Sequence, residues 1–235
     1  MNTEFYNKLS ELLPLAEILY DEPMSKHTTF RVGGAADVFV RIASEEQLKV
    51  LIPELVKSEI PYYVIGKGSN LLVGDKGFRG VVIQLDEAFE NIKVNKNAVT
   101  ACAGASMAKI ANTALQNSLT GFEFAAGIPG CVGGGVIMNA GAYGGEMKDV
   151  VSKVRVLCKD GSVKEYTGEE MCFGYRVSAL KNKPEYIVLE VEILLEPGDK
   201  EEILAKMQDL AKRRKDKQPL EYPSAGSTFK RPEGY

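Results

Sequence analysis

Apolar residues recur along this chain with two different periods, and the changes of period divide it into elements. From residue 3 to residue 20, Leu9, Leu12, Leu13 and Ala16 fall on one side at helical spacing, which predicts a helix interrupted at Pro14. After a Gly33-Gly34 turn, Asp37 to Ile42 alternates as a half-buried strand does. Ser44 and Gln47 then form a capping-box signature, and the helix they open carries Leu48, Leu51, Ile52, Leu55 and Val56 on one face, with a bend or break expected at Pro53. YYVIG predicts a buried strand and GVVIQL another. IKVNKNAVTACAG predicts a hairpin turning at Asn95 to Asn97. Ser106 starts a helix that turns Met107, Ile110, Ala111 and Ala114 inward. SKVRVLCKDGSVKEY predicts a second hairpin, with Asp160-Gly161 at its turn. Thr167 and Glu170 form another capping box, expected to open a short helix. YIVLEVEILL alternates, but Val188, Val191 and Ile193 do not share one phase, so periodicity does not choose its buried face. Pro197-Gly198-Asp199 marks a boundary before a last helix with Ile203, Leu204, Met207 and Leu210 at helical spacing. Strands and helices mix without a regular βαβ rhythm, which predicts an α+β fold with mixed sheets.

One stretch fits neither period. Between Gly127 and Gly145, eight of nineteen residues are glycine. Each glycine inside a helix or strand costs about 0.5–1 kcal/mol, so no regular element is expected there. Such a stretch brings bare backbone close to another backbone or to a ligand. A second glycine loop, Gly66-Lys67-Gly68-Ser69-Asn70, follows a strand directly and offers consecutive N–H groups and a hydroxyl, which suits a phosphate or pyrophosphate. It is neither a dinucleotide GxGxxG, since Leu71 stands where the last glycine is required, nor a P-loop. Turns packed between strands explain either loop alone. The two together point to a cofactor with a diphosphate.

Composition narrows the chemistry. The 235 residues carry a net charge of −3, which argues against a nucleic-acid surface. No run of about 18 apolar residues marks a membrane span, and the acidic, amphipathic N-terminus is wrong for a signal peptide. Cys102, Cys131, Cys158 and Cys172 are widely spaced, which fits reduced thiols in a cytoplasmic protein and suggests neither zinc nor disulfides. His27 is the only histidine. No histidine metal cluster is therefore available, a Ser-His-Asp hydrolase is disfavoured, and His27 itself is expected to be structural or capping. Chemistry without imidazole points to a cofactor that carries the difficult step. The acidic start and the Lys212 to Lys217 end of the last helix complement its dipole; a substrate diphosphate is the competing reason for the basic end.

The motifs TTFRVGGAAD, IGKGSNLLV, EFAAGIPGCVGGG, MNAGAYGGE, FGYRVSALK and PSAGSTFKRP, in this order, resemble the UDP-N-acetylenolpyruvoylglucosamine reductase family of peptidoglycan precursor synthesis, in its shorter second type. The helical spacing predicts an N-terminal helical arm over residues 1–24, and the resemblance implies a two-lobed FAD-binding domain of the vanillyl-alcohol-oxidase (PCMH) type over residues 25–198, with lobes at about 25–85 and 86–198. Residues 199–235 would begin a small α+β substrate-binding domain. It implies noncovalent FAD held by Arg31, by Gly66, Lys67, Gly68, Ser69, Asn70 and Leu71, and by Gly127, Ile128, Pro129, Gly130, Gly133, Gly134, Asn139, Ala140, Gly141 and Ala142. Tyr143, Tyr175 and Lys217, or Lys215 if the alignment slips by two, would meet the substrate.

The implied reaction takes hydride from NADPH through FAD to UDP-N-acetylglucosamine enolpyruvate. Arg176 would stabilise the developing enolate and Ser227 would protonate it, giving UDP-N-acetylmuramate. The family's helper glutamate has no counterpart before Tyr235, so a fragment with a flavin site and an incomplete active site is expected, acting as a monomer in the cytoplasm without nucleic-acid or membrane partners. An FAD-dependent oxidase of the same fold and a noncatalytic flavin-binding module are the alternatives.

Overall fold

The computed structural model describes residues 3–14, 16–85, 87–224, 226, 229 and 232. The expected helix over 3–20 divides in two. Helix α1 covers Thr3–Leu12, and strand β1 covers Glu17–Pro23. Pro14 disfavours helical backbone in the residue before it, and the chain beyond pairs antiparallel with β2, Ala35–Ile42. Residues 17–23 of the expected helical arm are therefore an edge strand.

The first sheet has the order β1-β2-β4-β3, with β3 at Tyr62–Ile65 and β4 at Phe78–Leu85. Strand β4 runs parallel to both β2 and β3. YYVIG is an edge rather than a buried strand, and Tyr63 is exposed. Strand β2 is buried on both faces, unlike the half-buried strand its alternation suggested. Helix α2, Glu45–Lys57, begins with the predicted box: Gln47 N–H donates to Ser44 Oγ, and Gln47 Oε1 accepts from Ser44 N–H. It continues through Pro53 to Lys57. Leu48, Leu51, Ile52 and Leu55 are buried.

The second sheet is antiparallel, with the order β11-β10-β12-β6-β5. The two predicted hairpins form it in part: β5 at Ile92–Asn95 with β6 at Ala98–Cys102, and β10 at Val151–Leu157 with β11 at Val163–Thr167. Helix α3, Met107–Gln116, is capped by Ser106 Oγ, which accepts from Lys109 N–H, and buries the four predicted residues. Two-residue strands β7 (Leu119–Thr120), β8 (Gly141–Ala142), β9 (Gly145–Glu146) and β13 (Glu196–Pro197) complete the pairings. The Thr167–Glu170 box is present, with hydrogen bonds of 2.8 and 3.2 Å, but caps a series of turns and no helix.

Strand β12, Ile187–Leu194, owes its mixed phase to a shift of register opposite Arg155 and Val156. On one side of the shift Val188 joins the core under α3. On the other side Val191 and Ile193 do so. The extra residue changes which parity faces inward. Ile187 and Leu189 lie on the opposite face, in a core shared with α1, α2, β2 and β4, so those two helices cover one side of the second sheet.

The glycine stretch contains a helix that composition argued against: α4, Val132–Ile137, runs VGGGVI. A Cβ on Gly133 would stand 2.9 Å from Ala103 Cβ, and one on Gly135 3.2 Å from Met107 Sδ. Close approach to β6 and α3 offsets the conformational cost of those two glycines. Helix α5, Lys200–Lys217, is capped by Asp199, buries Ile203 and packs against α3 and β7. Lys206 Nζ reaches Glu123 Oε2 at 3.0 Å.

Candidate cofactor and substrate site

The site lies where strand β3 delivers the first glycine loop to the start of α4. Ser69 Oγ donates to the Pro129 carbonyl at 2.9 Å, joining loops 60 residues apart. A Cβ on Gly130 would stand 2.6 Å from the same hydroxyl, and one on Gly66 2.7 Å from Cys131 Sγ. Burial pushes the Cys131 thiol pKa up, against the opposing hydrogen bond from Lys67 N–H, so the thiol is neutral and packs as a small apolar group. Gly68 has φ +60°, in the left-handed region, and any Cβ there would enter the His27 carbonyl. Among the described residues, the N–H groups of Gly68, Ser69 and Asn70 meet no hydrogen-bond acceptor. Three consecutive bare donors are a concavity for an anion.

His27 sets the floor of this loop. Its ring stacks on Phe39 at 3.9 Å between centroids, and Nε2 lies 2.9 Å from Glu22 Oε1. This agrees with the structural role expected from sequence. Desolvation raises the Glu22 carboxyl, but hydrogen bonds from His27 and Lys26 outweigh it and hold the group below its ordinary value. Thr29 N–H donates to the Gly68 carbonyl at 3.3 Å, so the TTFRV turn lies alongside the loop. Arg31 is exposed on that turn, with φ 57°. Lys67 and Asn70 are exposed, and Leu71 packs beneath the first sheet with Val73.

The second stretch presents a different surface. Ile128 and Pro129 precede Gly130, and Gly127 lies under the side chain of Arg214 on α5, whose Cδ would be 3.1 Å from a Cβ there. Gly134 is exposed on α4, and a Cβ on it would meet nothing within 4 Å. Ala140 N–H donates to Gly135 O at 2.8 Å, fastening the NAGAYG loop to the end of α4. Gly141 and Ala142 form β8. Tyr143, φ 53°, is exposed just beyond it. Arg176 reaches this loop from the FGYRVSALK turn: its NH1 donates to Asn139 O at 3.1 Å and its NH2 to Gly141 O at 2.9 Å. Its guanidinium carbon lies 5.3 Å from the centroid of the exposed Tyr175 ring.

Any approach of Asn139 to the cofactor is left to its backbone, because its side chain is occupied by protein. It is fully buried, and its carboxamide is taken up by Glu146, Gly174 and Lys148. Lys215 and Lys217 are exposed at the end of α5. Ser227 lies outside the described residues. Ser224, three residues before it, is fixed to Thr29, whose Oγ1 donates to Ser224 O at 2.6 Å while Ser224 N–H donates to Thr29 O at 3.2 Å. The chain after α5 thus returns to the TTFRV turn beside the Gly68 loop.

Sequence reasoning missed the residues that fasten these parts. Glu123 is buried and accepts from Thr120 Oγ1 at 2.6 Å, from Gly121 N–H and from Lys206. Desolvation raises its carboxyl, and those hydrogen bonds prevail and lower it. A single acid in the apolar EFAAG run was the available signal. Nothing in the spacing of Thr29 or Cys131 marks either one.

A family model described as an FAD binding domain matches residues 36–167. The UDP-N-acetylenolpyruvoylglucosamine reductase of Caldanaerobacter subterraneus subsp. tengcongensis is 52% identical over 229 residues, which are 97% of this chain and 75% of that protein. The crystal structure of UDP-N-acetylenolpyruvylglucosamine reductase (MurB) from Thermus caldophilus superposes with a TM-score of 0.78 at 37% identity, over 93% of this chain and 76% of that one. p-Cresol methylhydroxylase shares the fold alone, with a TM-score of 0.59 at 17% identity over 84% of this chain and 44% of its own. The fold is therefore the α+β flavin-binding type expected from the motifs, and the chain belongs to the UDP-N-acetylenolpyruvoylglucosamine reductase family.

Proposed function

We propose that this chain is a flavoprotein reductase that converts UDP-N-acetylglucosamine enolpyruvate to UDP-N-acetylmuramate with NADPH, holding FAD noncovalently between its two glycine loops. The observation that carries this reading is the Ser69 to Pro129 hydrogen bond, which brings both loops to one place. The residues present fit FAD: the bare N–H groups of Gly68, Ser69 and Asn70 suit its diphosphate, and the open face at Gly134 admits a flat group against backbone. FAD, when bound, supplies hydride transfer from the nicotinamide to the enolpyruvyl carbon.

The chain's own residues would orient the substrate and manage its charge. Arg176 spends two of its guanidinium donors on Asn139 and Gly141, leaving donors for a carboxylate that becomes an enolate. A fixed cation there lowers the barrier because the charge develops during the reaction. Ser227, outside the described residues, is assigned as the proton donor by resemblance. Tyr143 and Tyr175 are exposed beside Arg176, and the cationic end of α5 lies over Gly127, which suits Lys217 or Lys215 for the UDP phosphates. The buried His27 ring, engaged by Glu22 and Phe39, favours noncovalent over histidyl flavin and counts against the oxidase alternative. A monomer acting in the cytoplasm, with residues 199–235 contributing to substrate binding, completes the proposal. Among the described residues, no helix is long and apolar enough to cross a membrane.

The test is spectroscopic. Purified protein should show flavin absorbance, lose it on anaerobic addition of NADPH and recover it on addition of the enolpyruvyl substrate. Colourless protein after incubation with FAD removes the cofactor assignment. Bleaching without recovery fits the incomplete active site expected from the motifs, and a flavin spectrum that the enolpyruvyl substrate then leaves unchanged removes the substrate assignment. Arg176→Ala should slow recovery about 10²–10³-fold and leave bleaching unchanged.

A further inference from the structure

Asn139 sits in the loop nearest Arg176 yet has no exposed surface. Its Nδ2 donates to Glu146 Oε2 at 2.6 Å and to Gly174 O at 3.0 Å, and its Oδ1 accepts from Lys148 N–H at 2.9 Å. Both amide hydrogens are used, so no donor is left for a ligand. The partners also fix the orientation of the amide, because two are acceptors and one is a donor.

Gly174, which Asn139 holds, opens the tight turn that carries Arg176. Gly174 and Val177 exchange N–H to carbonyl bonds of 3.0 and 3.2 Å, and Arg176 between them has φ 56°. A non-glycine residue in that region is strained and persists only where its surroundings impose it. The Asn139 carbonyl accepts from the Arg176 guanidinium as well. One residue therefore grips both ends of Arg176, its turn and its charged head. Glu146 stands behind it, with Oε1 paired to Lys148.

We infer that Asn139, braced by Glu146, is a positioning residue that fixes the Arg176 guanidinium for the substrate and makes no cofactor contact through its side chain. The inference rests on Arg176 being the cation that meets the substrate. Asn139→Asp keeps the shape but turns an oxygen toward the Glu146 carboxylate and the Gly174 carbonyl. Adding Glu146→Gln restores a donor opposite that oxygen.

Two measurements test it. Limited trypsin digestion of the purified protein reads the turn directly, since trypsin cuts after Arg176. Asn139→Asp should raise cleavage there about tenfold relative to other sites, the equivalent of one lost side-chain hydrogen bond, and the double variant should reverse part of the rise. Flavin content and NADPH bleaching should stay unchanged, while recovery with substrate slows about a hundredfold, as a misplacement near 1 Å does. Loss of flavin in step with loss of recovery would make Asn139 a cofactor residue and overturn the inference, as would unchanged cleavage after Arg176. If Asn139→Asp does not fold, Glu146→Ala at the half-buried brace should shift both readouts in the same direction, and no shift overturns the inference. Fast recovery in Arg176→Ala would instead remove the catalytic reading of Arg176, and cleavage would still decide whether Asn139 holds the turn.

Discussion

In the loop after β3, a Cβ on Gly68 would enter the His27 carbonyl and one on Gly66 would crowd Cys131. In α4, a Cβ on Gly134 would meet nothing within 4 Å. The two glycine-rich regions look alike in composition, but protein crowds the first loop, and among the described residues the N–H groups of Gly68, Ser69 and Asn70 meet no acceptor. In the second, Gly133 and Gly135 face β6 and α3 while Gly134 between them faces outward. Most of the glycine content is thus explained by protein packed against protein. Gly134 is a helical glycine with no such reason, and close approach of a ligand is the remaining physical one.

Substitutions at Gly68 and Gly134 should have opposite effects, and the larger falls on Gly68. Gly68→Ala combines a left-handed φ with collision against a backbone carbonyl that cannot move without its Glu22 and Phe39 supports. It should cost about 3 kcal/mol in urea unfolding and abolish flavin retention. A stable, yellow Gly68→Ala protein would mean that the loop is not pinned as described.

An intermediate effect is expected at the anchor before the second stretch. Glu123→Gln exchanges a hydrogen-bonded carboxylate for an amide, weakening the hold on Lys206, and should cost about 1 kcal/mol at neutral pH. Because the folded-state pKa of Glu123 is depressed below 4.5, its contribution is present above that value and disappears as pH falls through the folded value. Urea midpoints of the parent should therefore drop on acidification below about pH 4.5, and the gap between parent and variant should close. A constant gap would refute the linkage.

The smallest effect has the opposite sign. Gly134→Ala should stabilise the flavin-free protein by about 0.5–1 kcal/mol, since alanine fits a helix with open space around it. The same methyl group should weaken FAD binding, measured by fluorescence titration, by about tenfold, as an overpacked contact does. Destabilisation of the flavin-free protein, or unchanged affinity, would remove the distinction between the two glycine regions.

Much of the architecture was legible because the signals are local. Ser44 with Gln47 and Ser106 open helices where they stand, and the Asn95–Asn97 and Asp160-Gly161 turns close hairpins whatever lies around them. The misreadings occurred where distant partners decide. Glu17–Pro23 continues a helical pattern of apolar residues but is a strand because β2 offers it a ladder. The Thr167–Glu170 box makes its hydrogen bonds without a helix to follow. The phase of β12 depends on a register shift against β10 that no spacing within β12 reveals. At the site, Arg176 and both glycine loops were identified from their motifs and expected to converge on one cofactor; the contacts that join the loops, Ser69 to Pro129 among them, were not.

The caps, the hairpin turns, the order of the motifs and the family they define are written locally, since each depends on residues a few positions apart. The tertiary structure decided which glycines face protein and which face open space, where Ser69 finds Pro129 and Ser224 finds Thr29, and that Asn139 is a buried clamp. Those outcomes join residues 60 and 195 positions apart. Side-chain direction at such distances follows from packing of the whole chain, and local periodicity carries no record of it.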